Sequence, residues 1–175
     1  MNKTTGKFFL IVAVALIAFA LGTLRSARSS AMPQSNTAQG APTPVLLIKA
    51  DDSGVMYFPA GQVSQTYAKG ALLYNGNPER NYRVNVFHRD EPGEVEIHTK
   101  DTDIFYILEG SGTFVTGGKI ASGKDTGPGE IRAPSMEGGV ERTVSKGDVI
   151  IIPANVTHWF KAVKQPTTYF GVKVR

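Results

Sequence analysis

Glu96, His98, Asp103 and His158 are the residues of this 175-residue chain whose types and spacing best suit chemistry. Two imidazoles and two carboxylates are nitrogen and oxygen donors of the kind that hold a divalent metal ion. On an extended strand, side chains two residues apart project to the same face. Glu96 and His98 therefore point together, and Glu94 joins them if the strand is regular. The polar run from Thr99 to Thr102 turns the chain back, and Asp103 opens the next strand with Phe105 and Ile107 on its own face. His158 follows the turn from Pro153 to Thr157 and opens another strand, with Phe160 two residues on. If these faces look into a barrel, the four polar side chains converge at its mouth. Phe105 and Ile107 would then form the floor, with Phe105 and Phe160 as candidate walls of a substrate pocket.

Singly, each of these residues has a plainer reading. A strand glutamate faces water, and a bulge that shifts the register would turn Glu96 outward. Asp103 could close the Thr99–Asp103 turn through its own backbone, and His158 could be a hydrogen-bonded histidine at a barrel rim. It is their joint spacing that points to a metal site. His88 shares a strand face with Tyr82, Val84 and Val86 and reads as structural. Trp159 and Tyr106 alternate away from His158 and Asp103 and read as packing residues, while Arg83, Asn85 and Phe87 form a face that could reach a substrate.

Positioning these side chains falls to short strands. Runs of β-branched and aromatic residues predict strands over 45–49, 55–58, 71–74, 82–88, 94–99, 104–109, 112–116, 142–144, 149–152, 158–162 and 167–174. Gly, Pro, Asn and Asp clusters mark the turns between them, and no segment sustains a helical apolar period. Many short strands with frequent turns predict a sandwich or barrel. The stretch from Gly118 to Glu141, with six glycines and two prolines, reads as a lid over the mouth or a surface excursion.

The two stretches Glu96–Gly110 and Gly147–His158 resemble the paired signatures of the cupin superfamily, small single-domain conserved-barrel proteins. Counting back from Gly110 over six intervening residues puts Asp103 at the position of the family's glutamate. Four more intervening residues put His98 at the second histidine, and Glu96 then falls at the first. Gly147, Pro153 and His158 match the second signature at its spacing, with Asn155 in place of a glycine and Ala162 in place of an asparagine. Asp90 stands where the first signature opens on glycine, and Gly93 could serve that turn. The resemblance implies an all-β double-stranded β-helix, a jelly-roll barrel, with Glu96, His98, Asp103 and His158 as metal ligands. Two carboxylates balance the charge of a divalent ion, and this oxygen-rich set shifts preference toward Mn²⁺ or Fe²⁺, with Zn²⁺ and Ni²⁺ also compatible. If Glu96 is not a ligand, it could act as a general base beside a two-His-one-carboxylate set.

Outside the barrel, Lys3 and Lys7 precede an apolar run of 14 residues, Phe8 to Leu21, and small residues follow to Ala31. The run is shorter than the roughly 20 residues a spanning helix needs. Residues 1–31 therefore read as a signal peptide, or as an N-terminal anchor that would tether the domain to a membrane. Residues 32–44, rich in Pro, Gln, Ser and Ala, read as a flexible linker to the barrel domain, 45–175. Either reading places that domain outside the cytoplasm, in the periplasm or secreted. Of the chain's 19 cations, four lie in residues 1–31 without any acid, so the remainder holds 15 cations against 15 acids. A neutral domain lacks the basic stripe that nucleic acid requires. The absence of cysteine excludes thiolate catalysis, disulfides and Cys-built zinc sites. The expected function is that of a metal-dependent enzyme acting on a small polar molecule, of oxygenase, isomerase or lyase type. The alternative is a non-catalytic module that binds a small molecule such as a sugar, and pairing through edge strands would make either a homodimer.

Overall fold

The computed structural model describes residues 45, 46, 48–77 and 79–175; the predicted signal or anchor (1–31) and linker (32–44) lie outside the described residues. The described chain folds into one helix, α1 (Ala60–Gln65), and nine strands: β1 (Ala71–Tyr74), β2 (Tyr82–Arg89), β3 (Val95–His98), β4 (Thr102–Thr116), β5 (Lys124–Gly127), β6 (Glu130–Ala133), β7 (Val140–Ser145), β8 (Val149–Ile152) and β9 (His158–Val174). All strand pairs are antiparallel. The sheet runs β1-β2-β9-β3-β6-β5, and β4 pairs with β9 on one edge and with β7 and β8 on the other. This is an all-β, curled antiparallel sheet of jelly-roll type.

The long strands β4 and β9 each join two predicted strands, and both bend where they do so. Register slips between Ile107 and Phe114, as β-bulges do. Before the slip the core takes odd positions of β4 (Phe105, Ile107); beyond it Phe114 joins the same core, while Val115 is buried outside that cluster. Gly110 sits in this bend with φ +82°, and a Cβ there would lie 2.0 Å from the Pro166 carbonyl oxygen. Only glycine fits both conditions.

The interior is aromatic. Phe105, Ile107, Phe114, Val144, Ile152, Phe160 and Tyr169 form the core cluster. Ring centroids lie 4.7 Å apart for Phe114–Phe160 and 4.9 Å for Phe105–Tyr169. Burying each such ring contributes about 1.5–3 kcal/mol, and these rings form the floor beneath the polar cluster. A second cluster lies on the opposite face of β1 and β2, where Ala71, Leu73 and Val86 pack against Phe58, Val63 and Phe170.

Two predicted strands are absent. Val45 forms an isolated bridge to Leu72, and residues 55–58 run irregularly into α1. Val45 and Leu46 pair with β1 only at Leu72, and residues 55–58 join no ladder, so tertiary context overrides propensity. The stretch from Gly118 to Glu141 is neither a lid nor a free excursion. It forms the β5–β6 hairpin, which β6 fastens to β3 in register.

Candidate metal centre

Four of the polar contacts in the barrel mouth trace directly to strand register. Glu96 on β3 stands opposite His158 on β9 and opposite Arg132 on β6. His98 stands opposite Glu130 on β6, and Asp103 on β4 stands opposite Lys173 on β9. Directly opposed side chains in antiparallel pairs come close enough to interact, and here each opposed pair does.

His98 Nε2 lies 3.3 Å from Glu96 Oε2 and 3.2 Å from Asp103 Oδ2. His158 Nε2 lies 3.8 Å from Glu96 Oε2 and 3.6 Å from Asp103 Oδ2. Donor atoms that share an ion at about 2.0–2.2 Å are spaced roughly 3–3.6 Å apart; three of these spacings fall in that range, and His158–Glu96 is slightly longer. The donors of Glu96, His98 and His158 all lie within 4.8 Å of one another. Asp103, 1% exposed, adjoins both imidazoles but is also clasped by Lys173, whose Nζ donates to Oδ1 at 2.8 Å and Oδ2 at 3.1 Å. Of the four residues expected from the sequence, Glu96, His98 and His158 form the mutually close set, and Asp103 stands beside both imidazoles.

Surrounding groups orient the donors. Arg89 and Arg132 both pair with Glu96 Oε1, leaving Oε2 toward the imidazoles. Arg89 Nε also donates to Tyr169 Oη at 2.9 Å. His158 Nδ1 lies 3.0 Å from the Val156 carbonyl, to which an Nδ1–H donates, so Nε2 carries the lone pair. That lone pair is buried without a hydrogen-bond partner and faces two carboxylates. A cation between them would satisfy a lone pair turned toward anions, and this is the best evidence that the cluster fits a metal. His98 Nδ1 lies 2.6 Å from Glu130 Oε2, off the line of an ideal hydrogen bond. A carboxylate behind a ligating imidazole holds its ring and tautomer in place.

Burial opposes charge throughout the cluster, and the neighbours decide the outcome. Burial would raise the Glu96 carboxyl, but the His98 contact and the Arg132 and Arg89 guanidiniums hold it far below the usual carboxylate range. Burial likewise works against charge on His98, yet Asp103, Glu130 and Glu96 push it up to about 10. Burial would also raise Asp103, but His98 and Lys173 lower it. His158 has fewer such contacts, and burial pushes it down, so it stays a neutral imidazole. A carboxylate held as low as that of Glu96 is a weak proton acceptor, which suits a ligand better than a general base.

A cavity of about 160 Å³ opens beside the cluster. Phe105 and Phe160 line it as predicted, with Phe87, Phe114 and Tyr169, and its cations are Arg89, Arg132 and Lys173. Trp159 corrects an expectation: it also lines the cavity, with Nε1 donating to the Gly93 carbonyl at 2.6 Å. Tyr106 faces outward, 46% exposed. His88 braces β2, with Nδ1 3.0 Å from Thr168 Oγ1 and Nε2 3.0 Å from Asp90 Oδ1. Arg83 turns to Asp101 at 3.2 Å. Sequence reasoning missed Arg89, Glu130, Arg132, Lys173 and Tyr169. Of these only Arg89 had a signal, as the next residue along the face of Arg83, Asn85 and Phe87.

The departures from the cupin signature have local explanations. Asn155 adopts φ 67°, the left-handed region that glycine favours and asparagine tolerates best. Its N–H donates to the His98 carbonyl at 2.8 Å, tying the second stretch to the first. Gly93 donates to the Phe160 carbonyl at 3.0 Å and leaves room for the Arg89 guanidinium.

Comparison with solved structures finds likenesses at low identity. A double-stranded β-helix protein from Klebsiella pneumoniae shares 16% identity, with 59% of this chain and 73% of that one covered and a TM-score of 0.41. The protein BH2720 from Bacillus halodurans shares 14%, with 72% and 86% covered and a TM-score of 0.49. A cupin 2 conserved barrel protein from Rhodopseudomonas palustris shares 21%, with 61% and 59% covered and a TM-score of 0.40. Comparison with curated proteins gives no match. The Cupin family model matches residues 83–174, from Arg83 on β2 to the end of β9, and the chain belongs to the cupin family.

Proposed function

We propose that this cupin is a metal-dependent enzyme acting on a compact molecule with an anionic group. Glu96, His98 and His158 hold one divalent ion, with Asp103 as the fourth donor. The observation that carries the reading is the neutral, unpartnered Nε2 of His158 turned toward two carboxylates. The mixed oxygen and nitrogen donors favour Mn²⁺ or Fe²⁺. When bound, such an ion would supply Lewis acidity or a centre for oxygen chemistry, which leaves oxygenase, isomerase and lyase classes in play. The chain's own residues would bind and orient the substrate. Arg132 and Lys173 offer charge to its anionic group, the aromatic walls exclude water, and a cavity of about 160 Å³ limits it to a small molecule. That is close to the ~150 Å³ cavity known to hold benzene. The apolar run near the N-terminus supports export of the domain.

A second reading, a non-catalytic binding module, is favoured by one observation. Lys173, Arg89 and Arg132 already neutralise the carboxylates, so the cluster is balanced without an ion.

Elemental analysis of the purified full chain, beside a His98→Ala/His158→Ala variant, separates the two. Near-stoichiometric manganese or iron in the parent and none in the variant supports the metalloenzyme. A parent that takes up no ion from Mn²⁺, Fe²⁺, Zn²⁺ or Ni²⁺ leaves the binding module.

A further inference from the structure

A second cavity, of about 510 Å³, lies on the other side of β2 from the metal centre. Strand alternation separates the two: Phe87 and Arg89 face the first, Tyr82 and Val84 the second. Its size falls in the range of small-molecule sites, roughly 300–1,000 Å³. The walls are apolar, with Phe58 and Val63 on one side and Leu73, Val84 and Phe170 of the sheet on the other. Two polar groups break this surface. Tyr74 Oη is buried with no hydrogen-bond partner, and Arg80 stands on the turn between β1 and β2 with no acidic partner among the described residues. No acidic residue lines the cavity.

We infer that this cavity binds an amphipathic monocarboxylate, its apolar body against Phe58, Leu73, Val84 and Phe170 and its carboxylate on Arg80. A guanidinium presents paired donors that match a carboxylate, and the Tyr74 hydroxyl is a donor that a ligand oxygen would satisfy. The chain's own apolar run from Phe8 to Leu21 is a poorer occupant. Residues 1–31 hold four cations and no acid, so they bring Arg80 no counter-charge. A second copy is poorer too, because the site is walled on both sides and suits an inserted molecule rather than a flat face.

The test titrates the full chain calorimetrically with hexanoate, octanoate and octan-1-ol, then repeats the series with Arg80→Gln and Arg132→Gln. Arg80 is exposed, so its variant should keep the parent's melting temperature. The expected result is saturable one-to-one binding of octanoate, each added methylene strengthening binding about fourfold. Octanol should bind more weakly, Arg80→Gln should cost octanoate about tenfold or more, and Arg132→Gln, which strips the first cavity of one cation, should leave the Arg80-dependent heat in place. The inference is overturned if octanoate gives no saturable heat, as it would with Phe8–Leu21 or a second copy in the cavity. It is equally overturned if octanol binds as tightly, if Arg80→Gln binds like the parent, or if Arg132→Gln removes the heat, which would put the carboxylate in the first cavity. None of these outcomes depends on whether the barrel mouth takes up metal.

Discussion

His98 and Glu130 are register partners across the β3–β6 ladder, and their side chains meet at 2.6 Å on the side of the imidazole away from Glu96 and Asp103. One ring thus stands between a carboxylate that positions it and the carboxylates that would share its ion. If that is its role, Glu130→Ala should weaken Mn²⁺ binding about 10–100-fold. Glu130→Gln should fall between parent and alanine, since its amide oxygen can still accept from Nδ1–H. Competition against a chromophoric chelator measures this. Equal affinities across all three proteins would remove Glu130 from the site.

The same contacts make metal uptake depend on pH. His98, pushed up to about 10, is an imidazolium at neutral pH in the metal-free chain, and its Nε2 can ligate only after losing that proton. Apparent affinity should therefore rise about tenfold per pH unit from pH 7 to about 9, with about one proton released per ion. Calorimetry in two buffers of different ionisation enthalpy counts that proton. No buffer dependence would mean that His98 is already neutral.

Stability of the metal-free fold should follow from the same shifts. The folded pKa of His98 lies above its ordinary value of 6.5, so its contribution is complete below about 6.5 and is lost as pH rises through about 10. Glu96 is depressed below its ordinary 4.5, so its contribution is complete above that value and is lost as pH falls into strong acid. Thermal midpoints of the chelator-treated chain should peak between about pH 5 and 7 and decline on both sides. A midpoint that still climbs from pH 8 to pH 10 would contradict the His98 assignment.

Gly110 should tolerate no side chain. Gly110→Ala combines a left-handed backbone with a Cβ at 2.0 Å from a carbonyl oxygen, and should cost about 2–4 kcal/mol in denaturant unfolding. At Asn155 the expectation runs the other way. Asn155→Gly should be nearly neutral, while Asn155→Val should cost about 1–2 kcal/mol, because a β-branched residue resists φ 67°. A neutral valine would show that the Pro153–His158 turn can relax without strain.

The residues of the candidate centre were legible in the sequence, and those that surround them were not. His98, Asp103 and His158 sit at fixed spacings beside Gly110 and Pro153, where turn chemistry and alternation are strong local signals. Glu130 and Arg132 lie in a glycine-rich stretch with little alternation, and their meaning comes from pairing with β3, more than thirty residues earlier in the chain. Lys173 was read correctly as part of a strand, but only its register opposite Asp103 gives it a role. The helix α1, six residues long and with no buried side chain, is too short to express a period. Residues 55–58 had the composition of a strand and lacked a partner.

The pairing of β9 with β2, β3 and β4 has a kinetic consequence. Thr116 meets His158, and Thr102 meets Val174, so the ladder at the heart of the barrel closes loops of roughly 40 to 70 residues. Chains dominated by such distant contacts fold in milliseconds to seconds rather than microseconds. His98 and His158 come within reach of each other through the pairing of β3 with β9, a contact between residues roughly sixty apart in the chain. An ion shared by these two imidazoles would then be captured late, and the rate at which a refolding chain takes it up would report the closing of the barrel.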